Sequence, residues 1–405
     1  MQNLNLQAAS RWRSPMMLLV LMSIAMPIAF NAWSALLNNF VVERAAFTGI
    51  EIGILQSLRE VPGFLAFTTV FVLLVLREQT FAVFALALLG AGVAATGFFP
   101  SEYGLYCTTI LMSIGFHYFE ATKQSLSLQW LSKSEAPAVL GKLIAVGSVT
   151  SLIVYSFMWL LLEIFELDYV WNFLLAGTLC AALAVVMWLG FPHFPAKTIQ
   201  HKTLILRKRY WLYYVLTFLS GARRQIFVVF AAFLMVEKFG YSASQVTLLF
   251  LINYIFNWFF AERIGRMISR VGERNALTFE YVGLIFVFVA YGLVENATLA
   301  AALYVLDHMF FAMAIAISTY FQKIADPKDM ASSAGVSFTI SHIAAIVIPA
   351  ALGLVWIWSH ALVFYCGAAF ALMSLVASQF IPRDPHQGNE TTRSRNGGDS
   401  AVVTV

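Results

Sequence analysis

Long apolar blocks, separated by short stretches with charges, proline or glycine, occupy most of the chain. Each block is long enough for a helix that rises about 1.5 Å per residue to cross about 30 Å of hydrocarbon. The pattern therefore predicts an all-α polytopic membrane protein with about twelve transmembrane helices. The predicted spans lie near residues 16–38, 49–76, 79–99, 104–131, 138–165, 169–190, 210–236, 241–262, 275–294, 297–321, 333–357 and 360–381.

The spans fall into two groups of six on either side of one long polar interruption. Residues 1–190 are predicted to form an N-terminal six-helix bundle, and residues 210–381 a C-terminal one. Residues 191–209, which are rich in Lys and Arg, form the predicted cytoplasmic linker between them. The tail at 382–405 is predicted to be disordered, because its Gly, Asn, Ser and charged residues offer little apolar surface to bury.

The composition excludes a water-soluble fold. The chain is 60% hydrophobic and 11% charged, whereas roughly a quarter of the residues in soluble domains are charged. Its three cysteines lie far apart inside apolar blocks, so neither a disulfide framework nor a metal site is predicted. The chain has no Gly-rich phosphate loop, so we expect neither an ATP-driven pump nor a cofactor.

The distribution of basic residues predicts the orientation of the chain. Most Lys and Arg lie in loops on one side of the predicted spans, and the opposite loops hold only Arg44 and Lys238. Basic loops resist translocation and therefore stay in the cytoplasm. We expect a multi-pass protein of the inner membrane with both termini in the cytoplasm.

A charged segment at the inner end of the eighth span carries a family resemblance. Residues 257–274 have the sequence NWFFAERIGRMISRVGER. This segment resembles the loop between the eighth and ninth helices of the major facilitator superfamily. The resemblance implies two similar six-helix bundles around a central polar pocket, transport by alternating access, and a conformational latch formed by Gly265, Arg266, Arg270 and Arg274.

Weak internal similarity supports duplicated halves, since residues 116–119 of the fourth span align with residues 307–310 of the tenth. The first half nevertheless departs from the family pattern. Residues 70–76 are purely apolar where the family has its acidic and arginine-rich signature. Residues 141–165 contain no proline, unlike the Gly-Pro pattern that the resemblance associates with drug antiporters.

Two pairs of neighbouring residues place charge near the middle of predicted spans. Arg59 and Glu60 lie in the second span, and Arg223 and Arg224 lie in the seventh. An ionisable side chain costs about 2.5–3.5 kcal/mol at the bilayer centre, so it normally faces water or a partner. Adjacent helical residues point about 100° apart. One of the two arginines in the seventh span is therefore expected to face the pocket while the other pairs with a carboxylate, and the sequence leaves open which.

The fourth and tenth spans carry further polar residues at helical spacing. His117, Glu120, Lys123 and Gln124 lie on one stripe of a helix, which is typical of a cavity lining. An alternative interpretation is that Glu120 and Lys123 neutralise each other as a structural pair. The tenth span contributes Asp307 and His308.

The leading hypothesis is a secondary active transporter of a small anionic or zwitterionic solute. Four cations inside the spans exceed the three carboxylates counted there, and a guanidinium fork suits carboxylate and phosphate. The predicted substrate-binding residues are Arg59, Lys123, Arg223, Arg224, Gln124 and Asn31. The predicted proton-coupling residues are Glu60, His117, Glu120, Asp307 and His308, because buried acids and imidazoles can exchange protons.

Three alternatives remain open at this point. One is proton-driven efflux of lipophilic or cationic drugs. A second is an integral-membrane transferase that uses Asp307 and His308, although the loops are short for a water-soluble co-substrate. A third is a receptor or scaffold that transports nothing. The expected partners are the lipid bilayer, a small-molecule substrate and protons, without nucleic acid, and the chain is expected to be a monomer.

Overall fold

The computed structural model describes residues 13–130, 136–194, 205–326, 330–392 and 402–404. Nearly all of the described residues are helical. The helices are α1 (Pro15–Ala45), α2 (Gly49–Phe64), α3 (Thr69–Val72), α4 (Glu78–Thr96), α5 (Glu102–Trp130), α6 (Ala136–Glu163), α7 (Tyr169–Gly190), α8 (Trp211–Gln225), α9 (Ala232–Glu237), α10 (Ala243–Val271), α11 (Glu273–Leu293), α12 (Ala297–Phe311), α13 (Ile315–Ile324), α14 (Met330–Trp356) and α15 (His360–Ser378).

Short segments with other geometry join or interrupt these helices. Helices of 3-10 type cover Leu65–Thr68, Lys208–Tyr210 and Ala312–Ala314, and a π-helix covers Ile226–Ala231. Two short strands, β1 (Ile205–Arg207) and β2 (Val402–Thr404), pair antiparallel.

Ten of the helical segments in the described part of the chain are long and apolar enough to cross a membrane. Helices α2 and α5 occupy the second and fourth predicted spans. Helix α2 has only 16 residues before the chain continues as a 3-10 helix, and α5 carries His117, Glu120 and Lys123. The prediction of about twelve transmembrane helices in an all-α polytopic fold is therefore confirmed.

The chain divides into two compact units. The first comprises residues 1–46, 58–200 and 242–251, so it contains α1, the end of α2, all of α3 to α7 and the start of α10. Small residues let two of these helices approach closely. A Cβ on Gly177 of α7 would lie 2.4 Å from the carbonyl oxygen of Gly90 on α4. This backbone approach is typical of helix packing in membranes.

The second unit comprises residues 47–57, 201–241 and 252–405, so it includes the start of α2. The boundary predicted from sequence assigned this part of α2 to the N-terminal bundle. The start of α2 belongs to the second unit because Gly53, which has no side chain, lets it pack against the backbone of Pro349 on α14. In addition, the hydroxyl of Ser57 accepts a hydrogen bond from the backbone N–H of Ala350 at 3.0 Å.

The C-terminal tail differs in part from its predicted disorder. Residues 382–392 turn back on the second unit, where the Tyr320 hydroxyl donates to the backbone oxygen of Glu390 at 2.5 Å. The amide of Gln387 donates to the backbone oxygen of Ala325 at 2.8 Å. Residues 393–401 and 405 of the tail, and residues 195–204 of the predicted linker, lie outside the described residues.

Substitution of Gly177 by alanine tests the close approach of α4 and α7. We expect Gly177→Ala to destabilise the protein by about 1–3 kcal/mol, because the added methyl group collides with backbone atoms that cannot rotate away. Gly190→Ala in the same helix is the matched control, since a Cβ there meets nothing within 4 Å. Equilibrium unfolding in mixed micelles measures both, and equal stability of the two variants would contradict the packing.

Candidate functional site

A buried ion pair lies inside the first unit, on α2. Arg59 and Glu60 are only 9% and 7% exposed. The Nε atom of Arg59 donates to Oε1 of Glu60 at 3.1 Å, and Nη2 contacts the same oxygen. The guanidinium also lies 6.0 Å from the ring centre of Trp33 on α1, within the range of a cation–π contact. Arg59 is thus neutralised by its own neighbour in the chain.

His117 of α5 extends this cluster. Its Nε2 lies 3.8 Å from Oε2 of Glu60, and its Nδ1 lies 3.1 Å from the backbone oxygen of Ser113. A carbonyl only accepts hydrogen bonds, so this contact requires a proton on Nδ1. One further proton, on Nε2 or on Glu60, is then needed to make the contact between the two side chains attractive. The Ser113 hydroxyl, which the sequence did not single out, donates to the backbone oxygen of Arg59.

The rest of the polar stripe on α5 is partly self-neutralised. Nζ of Lys123 lies 3.7 Å from Oε1 of Glu120, as the structural-pair interpretation requires. Gln124 is exposed. On α1, the buried amide of Asn31 donates to the Ser151 hydroxyl of α6 at 2.8 Å and so links two helices of the unit. The structure therefore places Asn31 in helix packing, and its predicted role in substrate binding stays a prediction.

Inside the second unit, Arg223 of α8 is 2% exposed and Glu280 of α11 is fully buried. Nη1 of Arg223 lies 3.5 Å from Oε1 of Glu280, and its guanidinium lies 4.4 Å from the ring centre of Tyr281. Glu280 is the deep carboxylate that the sequence reasoning missed. It lies in the middle of the apolar block at 275–294 and could have been counted from its position alone.

Glu280 corrects the charge count made from the sequence. When Glu280 is included, the spans contain four cations and four carboxylates, so the excess of positive charge predicted from the sequence disappears. Arg59, Lys123 and Arg223 each have a carboxylate within 4 Å. Arg224 is exposed, and its guanidinium lies 5.8 Å from the ring centre of Phe311.

Asp307 of α12 is 1% exposed, and neither of its carboxylate oxygens has a hydrogen-bond partner among the described residues. The charges of Arg223 and Glu280 act on it. The neighbouring His308 lies between two aromatic rings, 5.0 Å from Phe227 and 5.3 Å from Tyr304. Three predicted residues, Arg223, Asp307 and His308, thus lie in the second unit, where the charge of Arg223 acts on Asp307.

Irregular backbone lies beside these charges. The π-helix begins at Ile226, two residues after Arg224. The 3-10 segment Ala312–Ala314 follows Asp307 and His308 within the tenth span. Such segments inside membrane helices frequently mark functional sites or hinges. Composition and hydropathy contain no indication of either one.

Of the residues predicted to form a conformational latch, Arg274 makes a contact between two helices. Arg274 at the start of α11 donates from Nη2 to Oε1 of Gln379 at 3.1 Å, which ties α11 to the end of α15. Gly265, Arg266 and Arg270 lie near the end of α10, and both of these arginines are exposed. Their role as a latch stays a prediction.

Buried opposite charges among long apolar helices are typical of polytopic membrane proteins that transport solutes. The chain belongs to the Major Facilitator Superfamily, whose family model matches residues 14–349. The resemblance seen in residues 257–274 is therefore confirmed. Membership makes the chain a secondary transporter and points away from an enzyme. No curated protein sequence matches the chain.

Solved structures of transporters share the fold. The nucleoside transporter NupG aligns with a TM-score of 0.70 at 17% identity, over 90% of this chain and 98% of its own. A bacterial homologue of the human lysosomal transporter Spinster, inward-facing and unoccupied, aligns with a TM-score of 0.71 at 12% identity, over 95% and 98% of the two chains. An auto-inhibited peptide transporter of the POT family aligns with a TM-score of 0.67 at 13% identity, over 90% and 96%. At these identities the likeness shows the fold alone.

Removal of the Glu60 charge tests the ion pair of the first unit. We expect Glu60→Gln to lower the free energy of unfolding by about 3–5 kcal/mol, because Arg59 would be left charged and buried without a counterion. The control is Glu295→Gln, whose side chain is 82% exposed beside Lys238 and whose loss is expected to change stability by less than about 1 kcal/mol. Unfolding in mixed micelles compares them, and similar effects would show that the buried pair contributes no more than the exposed one.

Proposed function

We propose that the chain is a proton-coupled secondary transporter that moves a small solute with an anionic group by alternating access. It acts as a monomer in the inner membrane, with both termini in the cytoplasm. Family membership supports the transport mechanism. The substrate class and the coupling ion are inferred from the side chains inside the two units.

Arg224 is the observation that carries the substrate class. It lies in the middle of a membrane span, and its side chain is exposed. A charged side chain at this depth is costly to keep against hydrocarbon, so the exposed guanidinium is the one placed to meet water and a dissolved solute. Its planar fork binds carboxylate or phosphate in two parallel hydrogen bonds. The ring of Phe311 adds an apolar surface beside it.

Asp307 supports coupling to protons. A carboxylate that is 1% exposed and has no hydrogen-bond partner among the described residues is costly to keep charged inside a membrane. It binds a proton readily and releases it when a cation or water reaches it. Glu60 and His117 form a second candidate for proton exchange, because their contact is attractive only with an added proton.

The aromatic surroundings of His308 favour a second candidate substrate. The ring centres of Phe227 and Tyr304 lie 5.0 and 5.3 Å from that of His308, and aromatic side chains are the groups that contact a flat uncharged base. The structural likeness to the nucleoside transporter NupG agrees with a nucleoside as this candidate. A nucleoside requires no arginine fork, so the two candidates differ in their dependence on Arg224.

A thermal-shift screen with detergent-purified protein distinguishes the two substrates. We expect small carboxylates or phosphates to raise the melting temperature of the wild type, and Arg224→Gln to weaken that binding at least tenfold, because a charge-assisted fork is lost. Arg44→Gln is the control, since this exposed cation pairs with Asp168 in an outer loop. A shift by uridine that persists in Arg224→Gln would favour the nucleoside. A shift only by lipophilic cations would favour drug efflux and overturn the anionic substrate.

Transport into liposomes tests the coupling ion, with the solute that gives the largest thermal shift as the probe. An imposed pH gradient is expected to drive accumulation in the wild type. Asp307→Asn is expected to abolish this accumulation and to retain exchange of labelled for unlabelled solute, because only the net movement of a proton is lost. Accumulation that is indifferent to the pH gradient would contradict proton coupling.

A further inference from the structure

Arg223, Glu280 and Asp307 form an enclosed triad in the second unit, with exposures of 2%, 0% and 1%. They come from three helices, α8, α11 and α12. Sequence patterns had singled out Arg223 and Asp307 for separate roles and had not included Glu280. The triad contains one cation and two carboxylates, so with all three groups ionised its net charge is negative by one.

The contact between Arg223 and Glu280 is loose. Nη1 of Arg223 lies 3.5 Å from Oε1 of Glu280, whereas charge-assisted hydrogen bonds between nitrogen and oxygen are usually about 2.7–2.9 Å long. Nη2 of Arg223, Oε2 of Glu280 and both oxygens of Asp307 have no hydrogen-bond partner among the described residues. A pair that served structure alone would be expected to satisfy these atoms.

Among the described groups that act on Asp307, Arg223 is the cation that can neutralise its carboxylate. Within the described part of the chain, the groups that act on Asp307 are Arg223, Glu280, Tyr291 and Tyr304. Both tyrosines are neutral hydroxyl groups near neutral pH. Helix α9 also packs against α12, and its one acidic group, the carboxylate of Glu237, accepts a hydrogen bond from the Trp356 indole at 2.7 Å.

We propose that Glu280 and Asp307 compete for the single guanidinium of Arg223, and that the triad holds one proton on whichever carboxylate Arg223 does not neutralise. This inference rests on the proposed proton coupling and assigns Glu280 a positioning role in it. In the arrangement seen here, Arg223 neutralises Glu280 and Asp307 carries the proton. When the guanidinium moves to Asp307, the O–H bond of Asp307 breaks and an O–H bond forms on Glu280 or the proton leaves, so charge and protons balance.

The backbone beside Arg223 can accommodate such a movement. The π-helix begins at Ile226, three residues after Arg223. A π segment contains one extra residue relative to an α-helix, and its migration by one position rotates the preceding residues about the helix axis. The charge of Arg223 acts on both carboxylates in the arrangement seen here, so a rotation of the helix that carries it shifts the balance between them.

Infrared difference spectroscopy of the detergent-purified protein tests the proposal without a substrate. The probe is the carbonyl absorption of a protonated carboxylic acid, followed as pH is varied. The wild type is expected to show this band, and Asp307→Asn to lose it. Glu280→Gln is also expected to lose it, because Arg223 is then free to pair with Asp307 and the proton is released. The double variant with Arg223→Gln and Glu280→Gln is expected to regain it, since no cation remains to neutralise Asp307.

Glu273→Gln is the matched control, since Glu273 is also a buried carboxylate on α11 but is paired with Lys323 at 2.8 Å. It is expected to leave the band unchanged. A band that persists in Glu280→Gln would overturn the competition and leave Arg223 and Glu280 as a fixed structural pair. If Glu280→Gln does not give monodisperse protein, Glu280→Asp replaces it. The shorter side chain holds Arg223 less well, so the band should vanish at lower pH than in the wild type, and an unchanged titration would overturn the proposal.

The two proposals fail separately. The expected pattern of bands, together with transport that is indifferent to a pH gradient, would support the triad as a proton site and refute proton-coupled transport. Proton-driven transport with a band that survives in Glu280→Gln would support the proposed function and refute the competition for Arg223.

Discussion

The free-energy cost of placing a charged group in hydrocarbon determines how the charged side chains of this protein are arranged. Apolar side chains cover the helices, so each ionisable side chain within a span needs a partner, a proton or water. Arg59 is held by Glu60, Lys123 by Glu120, and Arg223 by Glu280. Arg224 has an exposed side chain, and Asp307 is a buried acid whose carboxylate has no hydrogen bond within the described part of the chain. The proposed chemistry of the protein is drawn from these two side chains.

The two units meet this constraint in different ways. In the first, the neutralising partners are close in sequence, since Glu60 adjoins Arg59 and Glu120 lies one helical turn from Lys123. Those pairs move as one piece with their helix. In the second, Arg223 and Glu280 lie on different helices, so a change in helix packing changes the pairing. A unit whose charges are balanced across helices is the better candidate for coupling protonation to movement.

One feature of the local geometry agrees with that distinction. Segments of 3-10 helix follow charged residues in both units, at Leu65–Thr68 and at Ala312–Ala314, whereas the π-helix at Ile226–Ala231 lies in the second. Irregular turns weaken the regular hydrogen bonding of a span and give the helix a place to bend or rotate. Close backbone packing resists rotation of one helix against another, and it occurs in both units, between Gly90 and Gly177 in the first and between Gly53 and Pro349 in the second.

The sequence by itself determined the membrane class, the number of spans and the family, because hydropathy and loop charge depend on composition along the chain and need no contacts. It also located the charged residues of the spans, apart from Glu280. The tertiary structure alone decided the pairing: that Arg223 meets Glu280 while Arg224 stays exposed, and that Asn31 is occupied by Ser151. Which face of a helix a residue occupies follows from the sequence, but which helix that face meets depends on packing between segments far apart in the chain.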